Sequence, residues 1–324
     1  VWIMVSIPIL IAIIAIDYEL LIKIAPILYG IIILLLAGVL FTTPINGATS
    51  WYNIGAVSFQ PAELAKIVII LSLTYTIVKI QARGKKEINV IYKLAIILGV
   101  AMVPVLLIIK QPDYGTAIAF IMALIFMLFV AGIDKKYIII AIAVVIVAVP
   151  LLYFFILPEH AKTRIDVYLN PNLDPRGAGY NIIQSKLAIG AGQLFGMGLL
   201  KGNQTQLGFL YPKTTDFIFS VIGEELGFIF AAGIIVLYVV LITKAIYVAK
   251  TAKDLEGSYI AAGIAGIFFF HMLENIGMTM GLLPITGIPL PFVSYGGSSL
   301  LSNIIMIGIL LNISGRRQKV LFIE

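Results

Sequence analysis

The sequence predicts an all-α polytopic membrane protein, and three observations lead to that prediction. The 324 residues are 61% hydrophobic and only 12% charged, with a mean hydropathy of +1.08. A soluble domain is closer to half apolar and a quarter charged. The apolar residues form continuous runs rather than alternating with polar ones, which excludes a transmembrane β-barrel.

Nine apolar runs are candidates for membrane spans, because about 20 helical residues cross roughly 30 Å of hydrocarbon. The first run is short and begins inside an apolar segment, so we expect a tenth span before residue 1. We treat residues 1–324 as a single transmembrane domain. The nine runs cover residues 1–16, 25–41, 61–80, 91–109, 115–133, 137–157, 217–249, 258–275 and 297–314.

The connectors between the runs alternate between strongly basic and weakly basic. The positive-inside rule places the basic connectors in the cytoplasm. The C-terminus is then cytoplasmic and residue 1 is outside. The net charge of +6 is therefore a signal of topology and does not predict nucleic-acid binding.

Two outer connectors have unusual composition. Residues 158–216 form a long outer loop, in which the segment from Tyr180 to Leu200 predicts short amphipathic helices at the membrane surface. Residues 282–296 contain three prolines and two glycines but no charge, so they are unsuited both to a straight helix and to a water-exposed loop. Such a segment is tolerated at membrane depth where it lines a cavity, and we expect it to cap one.

Charged residues within spans are rare and costly, so each one is a candidate functional residue. Glu63 and Lys66 are three residues apart on one helix and can form an ion pair, either as a structural pair or in the wall of a polar cavity. Asp113 and Asp216 each precede an apolar helix, where an aspartate can cap the helix or serve a reaction. Trp51 fits either the aromatic belt at the membrane surface or a binding site.

Other chemistries receive little support. The chain has no cysteine and only two histidines, so neither thiol chemistry nor a histidine zinc site is expected. His271 with the serines of "YGGSS" lacks the G-x-S-x-G elbow of a serine hydrolase. No P-loop or dinucleotide-binding motif is present. From these residues alone, an enzyme and a transporter both remain open.

Four segments resemble, in order, the signature segments of the SEDS family, the bacterial shape, elongation, division and sporulation proteins. They are "GATSWYNIGAVSFQPAELAKI", "QPDYGTA", "GIPLPFVSYGGSSL" and the long stretch from "DPRGAGYNIIQSKLAIG" to "KTTDFIFSVIGEELG". Together they extend from about residue 46 to residue 300. "QSKLAIGAGQLFGMGL" and "NQTQ" look more like the RodA branch than the FtsW branch. One departure is "PKTTDF", where the family often has Glu-x-His before the aspartate.

The resemblance implies a peptidoglycan glycosyltransferase that polymerises lipid II at the outer face of the bacterial cytoplasmic membrane, for cell shape and division. It also implies a class B penicillin-binding protein and other cell-wall elongation proteins as partners, and no nucleic acid. Asp216 matches the family's essential acidic residue. The predicted substrate-binding residues are Trp51, Glu63, Lys66, Asp113, Lys186, Ser294, Tyr295 and Ser298.

The role of Asp216 has two possible forms. Glycosyl transfer from a pyrophosphate needs a base for the acceptor hydroxyl and positive charge for the leaving group. A helix N-terminus is expected to lower the pKa of Asp216, which would make it a weaker base. A ligand of a divalent cation, Mg²⁺ or Mn²⁺, is the alternative role.

A lipid II flippase and a non-enzymatic scaffold for cell-wall enzymes are the competing functions. A flippase requires polar residues that continue to the inner face of the membrane. The polar span residues instead cluster near the predicted outer face, which favours the enzyme.

Overall fold

The structure is a computed structural model that describes residues 2–43, 49–54, 57–156, 159–174 and 177–317. Twelve α-helices are present in these ranges, together with three short 3₁₀ turns and one π-helical turn at Leu152–Ile156. The helices are α1 (Trp2–Ala15), α2 (Tyr18–Gly38), α3 (Pro61–Gln81), α4 (Ile91–Ile109), α5 (Tyr114–Ala131), α6 (Lys135–Leu151), α7 (Glu159–Leu169), α8 (Ala178–Ala191), α9 (Asn203–Gln206), α10 (Ile218–Thr251), α11 (Leu255–Thr279) and α12 (Gly297–Gly315).

Each of the nine predicted spans coincides with a helix, so the prediction of an all-α polytopic membrane protein is confirmed. In the described ranges, seven helices are long and apolar enough to cross a membrane. The two spans not among them are α1, with 14 residues, and α3, which contains Glu63, Lys66 and Lys79. One small departure is an antiparallel hairpin of β1 (Tyr52–Ile54) and β2 (Val57–Phe59), with Asn53 opposite Ser58.

Local sequence signals explain several helix boundaries. Pro61 begins α3, because the first turn of a helix needs no donor from its backbone nitrogen. The Asp17 carboxylate accepts a hydrogen bond from the Glu19 amide at 3.1 Å and caps α2. Gly132 ends α5 in the left-handed conformation at φ 84°, which glycine adopts without strain.

The chain divides into two compact units, and the first comprises residues 1–133, 240–270 and 296–324. Small residues on α11 let neighbouring helices approach closely. A Cβ on Gly263 would lie 3.0 Å from side-chain atoms of Ile70 and Met127. Lipid is as apolar as leucine, so the hydrophobic effect does not drive association between membrane helices. Close packing at small residues contributes to it instead.

The helix ends of the first unit that carry basic residues are tied together by polar contacts. Asn312 on α12 donates to the carbonyl oxygens of Ile13 and Ile14 at 2.7 and 3.1 Å, and Arg316 bonds Asp17 at 2.9 Å. Lys253 bonds Glu19 at 2.9 Å. The two bonds from Asn312 satisfy free carbonyl groups at the end of α1.

The second unit comprises residues 134–239 and 271–295 and contains the whole of the predicted outer connector, residues 158–216. The predicted amphipathic helix is present as α8, but it ends at Ala191 rather than near Leu200. Helix α7 was not predicted, because its sequence, "EHAKTRIDVYL", is too polar to give a hydropathy signal. Residues 282–296 contain no helix, as predicted, and bury Ile288 and Leu290.

Helix α10 is interrupted at Gly227, where φ is 80° and ψ is −177°. Backbone groups on both sides of the interruption pair with the segment 193–198. Phe228 and Ile229 donate their amides to the Gln193 and Leu194 carbonyls at 2.8 and 3.2 Å. The amides of Met197 and Gly198 donate in return to the Glu224 and Glu225 carbonyls at 2.9 and 3.0 Å. The interruption therefore leaves these backbone groups paired.

Candidate active site

Asp216 lies in the turn that leads into α10, two residues before the helix begins at Ile218. The predicted capping position is therefore displaced from the helix start. Its side chain is half-buried. Burial raises the pKa of the Asp216 carboxyl group, and a hydrogen bond with the Thr215 side chain opposes that rise. This direction is opposite to the lowering expected from a helix N-terminus, and Asp216 stands two residues before α10 begins.

The backbone around Asp216 accepts hydrogen bonds at three consecutive carbonyl groups. The Tyr295 amide donates to the Thr214 carbonyl at 2.9 Å. The Ser294 hydroxyl donates to the Thr215 carbonyl at 2.6 Å. The Asn275 side-chain amide donates to the Asp216 carbonyl at 3.0 Å. We call these three contacts the carbonyl bracket.

A glycine of the 282–296 segment lies against the Asp216 carboxylate. A Cβ on Gly287 would lie 3.3 Å from Asp216 Oδ2, and Gly287 has a φ of +75°. Both the close approach and the positive φ favour glycine over other residues. The backbone around Gly287 therefore forms one wall of the space around the carboxylate.

Three side chains of α11 hold the same segment from the other side. His271 Nδ1 lies 3.1 Å from the Pro289 carbonyl, which can only accept, so this nitrogen carries the hydrogen. The Thr286 hydroxyl donates to Glu274 at 2.7 Å. Asn275 donates to the Ile288 carbonyl at 2.8 Å. These contacts fix the backbone of the 282–296 segment against α11.

The first unit contains a second cluster of the predicted site residues, on α3 and α12. Lys66 and Glu63 form the predicted ion pair at 2.8 Å, and both side chains are buried. The Ser302 hydroxyl on α12 also donates to Glu63 Oε2. Removing a charge from water is costly, and the two partners of the Glu63 carboxylate offset that cost.

Asp113 caps α5 as predicted. Its carboxylate accepts from the Thr116 amide at 3.1 Å and from the Gln60 side chain at 3.3 Å. Burial raises the pKa of Asp113, and the bonds from Thr116 oppose that rise. The nearby charges of Glu63 and Lys66 act on Asp113 as well, in opposite directions.

Of the remaining predicted substrate-binding residues, Trp51 and Ser298 lie in the first unit. Lys186, Ser294 and Tyr295 lie in the second. Trp51 is half-buried and directly precedes β1. The Ser298 hydroxyl lies 3.4 Å from the Ser58 carbonyl. Lys186 is exposed on α8, and Tyr295 is 75% exposed, so its ring is available for contact. Ser294 uses its hydroxyl within the protein, because it also accepts from the Leu290 amide at 2.8 Å.

Two buried glutamates of α10 accept hydrogen bonds from the 158–216 connector rather than from the candidate site. The Glu224 carboxylate accepts from the Gln204 amide at 2.7 Å and the Thr205 amide at 3.0 Å, at the start of α9. Glu225 accepts from the Leu200 amide at 2.9 Å. These carboxylates anchor residues 200–205 to α10.

An apolar cavity of about 400 Å³ lies in the second unit, between α8 and the first half of α10. Phe219, three residues after Asp216 in the chain, contributes to its lining. The lining includes Ile189, Leu194, Phe219, Phe228, Ile235 and Met280.

Comparison with known proteins places these features in a family. Residues 1–319 match the family model of the FtsW, RodA and SpoVE proteins, which is described as "Cell cycle protein". The chain belongs to the SEDS family. This membership confirms the resemblance of the four sequence segments.

Curated SEDS relatives are found in both branches. The chain is 40% identical over 295 residues to the peptidoglycan glycosyltransferase MrdB of Escherichia coli K12, covering 91% of this chain and 78% of the relative. It is 41% identical over 275 residues to the probable peptidoglycan glycosyltransferase FtsW of Trichlorobacter lovleyi, covering 83% of this chain and 69% of the relative.

Solved SEDS-like structures share the fold over nearly the whole chain. One is a chain from a study of the coordination of polymerization and crosslinking by a peptidoglycan synthase complex. It has a TM-score of 0.84 at 28% identity and covers 98% of this chain and 88% of that chain. The other is the rod shape determining protein RodA of Thermus thermophilus, with a TM-score of 0.70 at 27% identity, covering 97% and 85%.

Proposed function

We infer that this SEDS protein is a peptidoglycan glycosyltransferase with a multi-pass membrane fold. It makes glycan strands for cell shape and division. Membership of the family and 40% identity to a relative named for that activity support the inference. Asp216, a carboxylate of raised pKa on a fixed backbone, is the observation in the structure that carries it. We assign the chain to the RodA branch, on the sequence segments that resemble it.

Lipid II is the proposed substrate, a disaccharide-peptide on a polyprenyl pyrophosphate. The acceptor hydroxyl oxygen attacks the anomeric carbon of the donor sugar and forms the new glycosidic bond. The bond from that carbon to the pyrophosphate oxygen breaks, and the polyprenyl pyrophosphate leaves with the electron pair. Asp216 takes the hydroxyl proton. A raised pKa suits this role, because it makes the carboxylate a stronger base.

The environment around Asp216 suits a substrate with one polar and one apolar end. The apolar cavity near Phe219 can accept part of a polyprenyl chain, while the sugars stay at the water side. The exposed Tyr295 ring and the exposed Lys186 ammonium group are the proposed contacts of the polar end. We propose Trp51, Glu63, Lys66, Asp113, Ser294 and Ser298 as further substrate-binding residues.

In the alternative role, Asp216 would hold a divalent cation such as Mg²⁺ or Mn²⁺ instead of acting as the base. Among the described residues, no group of three or more His, Asp or Glu side chains could hold a metal alone. Mg²⁺ is commonly bound through one or two carboxylates together with substrate phosphates, and Asp216 supplies one such carboxylate. The cation would neutralise the charge that develops on the leaving diphosphate.

A class B penicillin-binding protein is the proposed partner. The solved structure with TM-score 0.84 belongs to a complex that coordinates polymerization and crosslinking, and this chain matches 88% of the length of that chain. We place the protein in the bacterial cytoplasmic membrane with its C-terminus in the cytoplasm.

The test is polymerisation of purified lipid II by the purified protein, with and without the penicillin-binding partner. Asp216→Asn should keep the fold and bind lipid II within a few-fold of wild type, yet lose glycan polymerisation almost entirely. Asp134→Asn is the matched control, because it removes an exposed carboxylate of the same unit that pairs with Lys136. Its product should match wild type.

Two results would contradict the proposal. Near-wild-type polymerisation by Asp216→Asn would end the catalytic assignment. Movement of lipid II between the leaflets of a vesicle, without any glycan product from wild type, would replace the enzyme with a flippase.

A further inference from the structure

We propose that Asn275 is a positioning residue that holds the Asp216 carboxylate in its reactive place, an inference that rests on the proposed glycosyltransferase function. Asn275 lies on α11, one turn after His271 on the same helix face, and was not singled out in the sequence. It does not touch the carboxylate. It acts on the backbone of Asp216 and on the backbone segment that lies against the carboxylate.

The Asn275 side-chain amide uses both of its hydrogens. It donates to the Asp216 carbonyl at 3.0 Å and to the Ile288 carbonyl at 2.8 Å. Asn275 is 0% exposed. Both partners are carbonyl oxygens, which only accept, so the nitrogen and not Oδ1 must face them. The orientation of this side chain is therefore determined by its contacts.

These two hydrogen bonds fix two sides of the same site. One side is Asp216 itself, whose carbonyl completes the carbonyl bracket with those of Thr214 and Thr215. The other side is the backbone at Ile288, next to Gly287, where a Cβ would lie 3.3 Å from Asp216 Oδ2. Asn275 is the residue of the bracket that reaches both. Its loss would release the carboxylate and its wall together.

The acceptor oxygen of Asn275 adds a second observation. Oδ1 is buried and has no hydrogen-bond partner within the described part of the chain. A core asparagine selected only for stability would normally pair this oxygen, because an unpaired buried acceptor is costly. The orientation that leaves Oδ1 unpaired is the one that serves both carbonyls.

Positioning predicts a loss of rate rather than of binding. A misplacement of about 1 Å can lower the rate about 100-fold. We expect Asn275→Ala and Asn275→Leu to lower kcat by about 10- to 100-fold with KM changed only a few-fold. Asn275→Leu has nearly the same volume but lacks both donors and adds no charge, so it separates hydrogen bonding from volume. Asn275→Ser keeps one donor and should give an intermediate kcat if the alanine variant folds poorly.

The matched control is Asn312→Ala. Asn312 is also a buried asparagine whose side-chain amide contacts the carbonyl oxygens of Ile13, Ile14 and Ile16, but it belongs to the other unit. It should lower the melting temperature without changing kcat per folded molecule. A loss of kcat in this variant equal to that of Asn275→Ala would show that any broken asparagine contact has this effect, and would overturn the proposal.

A double-variant test distinguishes positioning from general support. Asp216→Glu already displaces the carboxylate and should retain a weak, measurable rate. If Asn275 acts through Asp216, Asn275→Ala should lower kcat several-fold less in the Asp216→Glu background than in wild type. An equal factor in both backgrounds would overturn the proposal.

Hydrogen–deuterium exchange of the peptide covering residues 212–221 tests the bracket without substrate. Exchange should be faster in Asn275→Ala than in wild type and unchanged in Asn312→Ala. Unchanged exchange in Asn275→Ala overturns the positioning role even if the wild type polymerises lipid II. Faster exchange with an inactive wild type would keep the bracket and reject the glycosyltransferase function instead.

Discussion

At the scale of single residues, Asp216 joins an elevated pKa to a fixed backbone. A general base must be ionised, and burial raises the pH at which this carboxylate loses its proton. We therefore expect kcat/KM to fall as pH decreases through the Asp216 pKa, with a midpoint above the ordinary aspartate value of about 3.9. Initial rates of glycan formation between pH 4 and 8 measure this limb.

Melting curves at each pH are the control for that profile, since loss of fold at acid pH would imitate it. A midpoint at or below the ordinary aspartate value, with the protein folded, would mean that desolvation does not control Asp216.

The buried pair of Glu63 and Lys66 makes a second residue-scale prediction. Lys66→Ala leaves the Glu63 carboxylate buried, with the Ser302 hydroxyl as its remaining partner in the described part of the chain. Removing one member of a buried pair costs on the order of 3–5 kcal/mol. We expect low yield and a lowered melting temperature.

Exchange of the two charges, Glu63→Lys with Lys66→Glu, should recover part of the lost stability. Lys79→Ala on the same helix is the control, because Lys79 is exposed over the Tyr75 ring. Wild-type melting of Lys66→Ala would show that the pair is not a structural requirement.

Sequence reasoning found the residues whose partners are close in the chain. The Glu63–Lys66 pair and the Asp113 cap follow from spacings of three residues along one helix. Asn275 and Thr286 were missed because their partners lie on other segments, and no local pattern marks an asparagine inside an apolar helix as a donor to a distant carbonyl.

At the scale of elements, the interruption of α10 gives a third prediction. Gly227 lies at φ 80° and ψ −177°, in a region open essentially to glycine alone, and its missing Cβ faces the Gly196 amide. Gly227→Ala should lower the free energy of unfolding by roughly 1–3 kcal/mol or more.

Gly233→Ala is the matched control in the same helix, because nothing lies within 4 Å of its missing Cβ. It should leave stability unchanged or raise it by up to about 1 kcal/mol, since alanine favours helix. Thermal melting of the two variants side by side decides the matter, and equal effects would contradict a special role for the interruption.

Hydropathy located the nine long elements because each is a continuous apolar run. It did not locate α7, whose side chains are largely polar, or the hairpin of β1 and β2, which depends on pairing across strands. The interruption at Gly227 was also missed. "GEELGFIF" has the composition of an ordinary helix, and the break exists because segment 193–198 supplies its hydrogen bonds.

At the scale of the whole molecule, the distribution of basic residues gives a fourth prediction. The ends tied by Asn312, Arg316 and Lys253 are those that the positive-inside rule assigns to the cytoplasm. A green fluorescent protein fused after the last residue should therefore fluoresce, and alkaline phosphatase fused there should be inactive.

A phosphatase fusion within the exposed turn at residues 207–209 should be active, which controls for export. An active phosphatase at the C-terminus would reverse the assigned topology and with it the outer location of Asp216.

The pairing of the α10 interruption with segment 193–198 has a consequence for how this protein can evolve. Four backbone hydrogen bonds pair residues 193, 194, 197 and 198 with residues 228, 229, 224 and 225. Adding or deleting a residue within either segment would leave amides of a membrane helix without partners, which costs several kcal/mol each in a nonpolar surrounding. Insertions should therefore accumulate at exposed turns such as residues 207–209, while the lengths of segments 193–198 and 224–229 stay constant in any functional descendant.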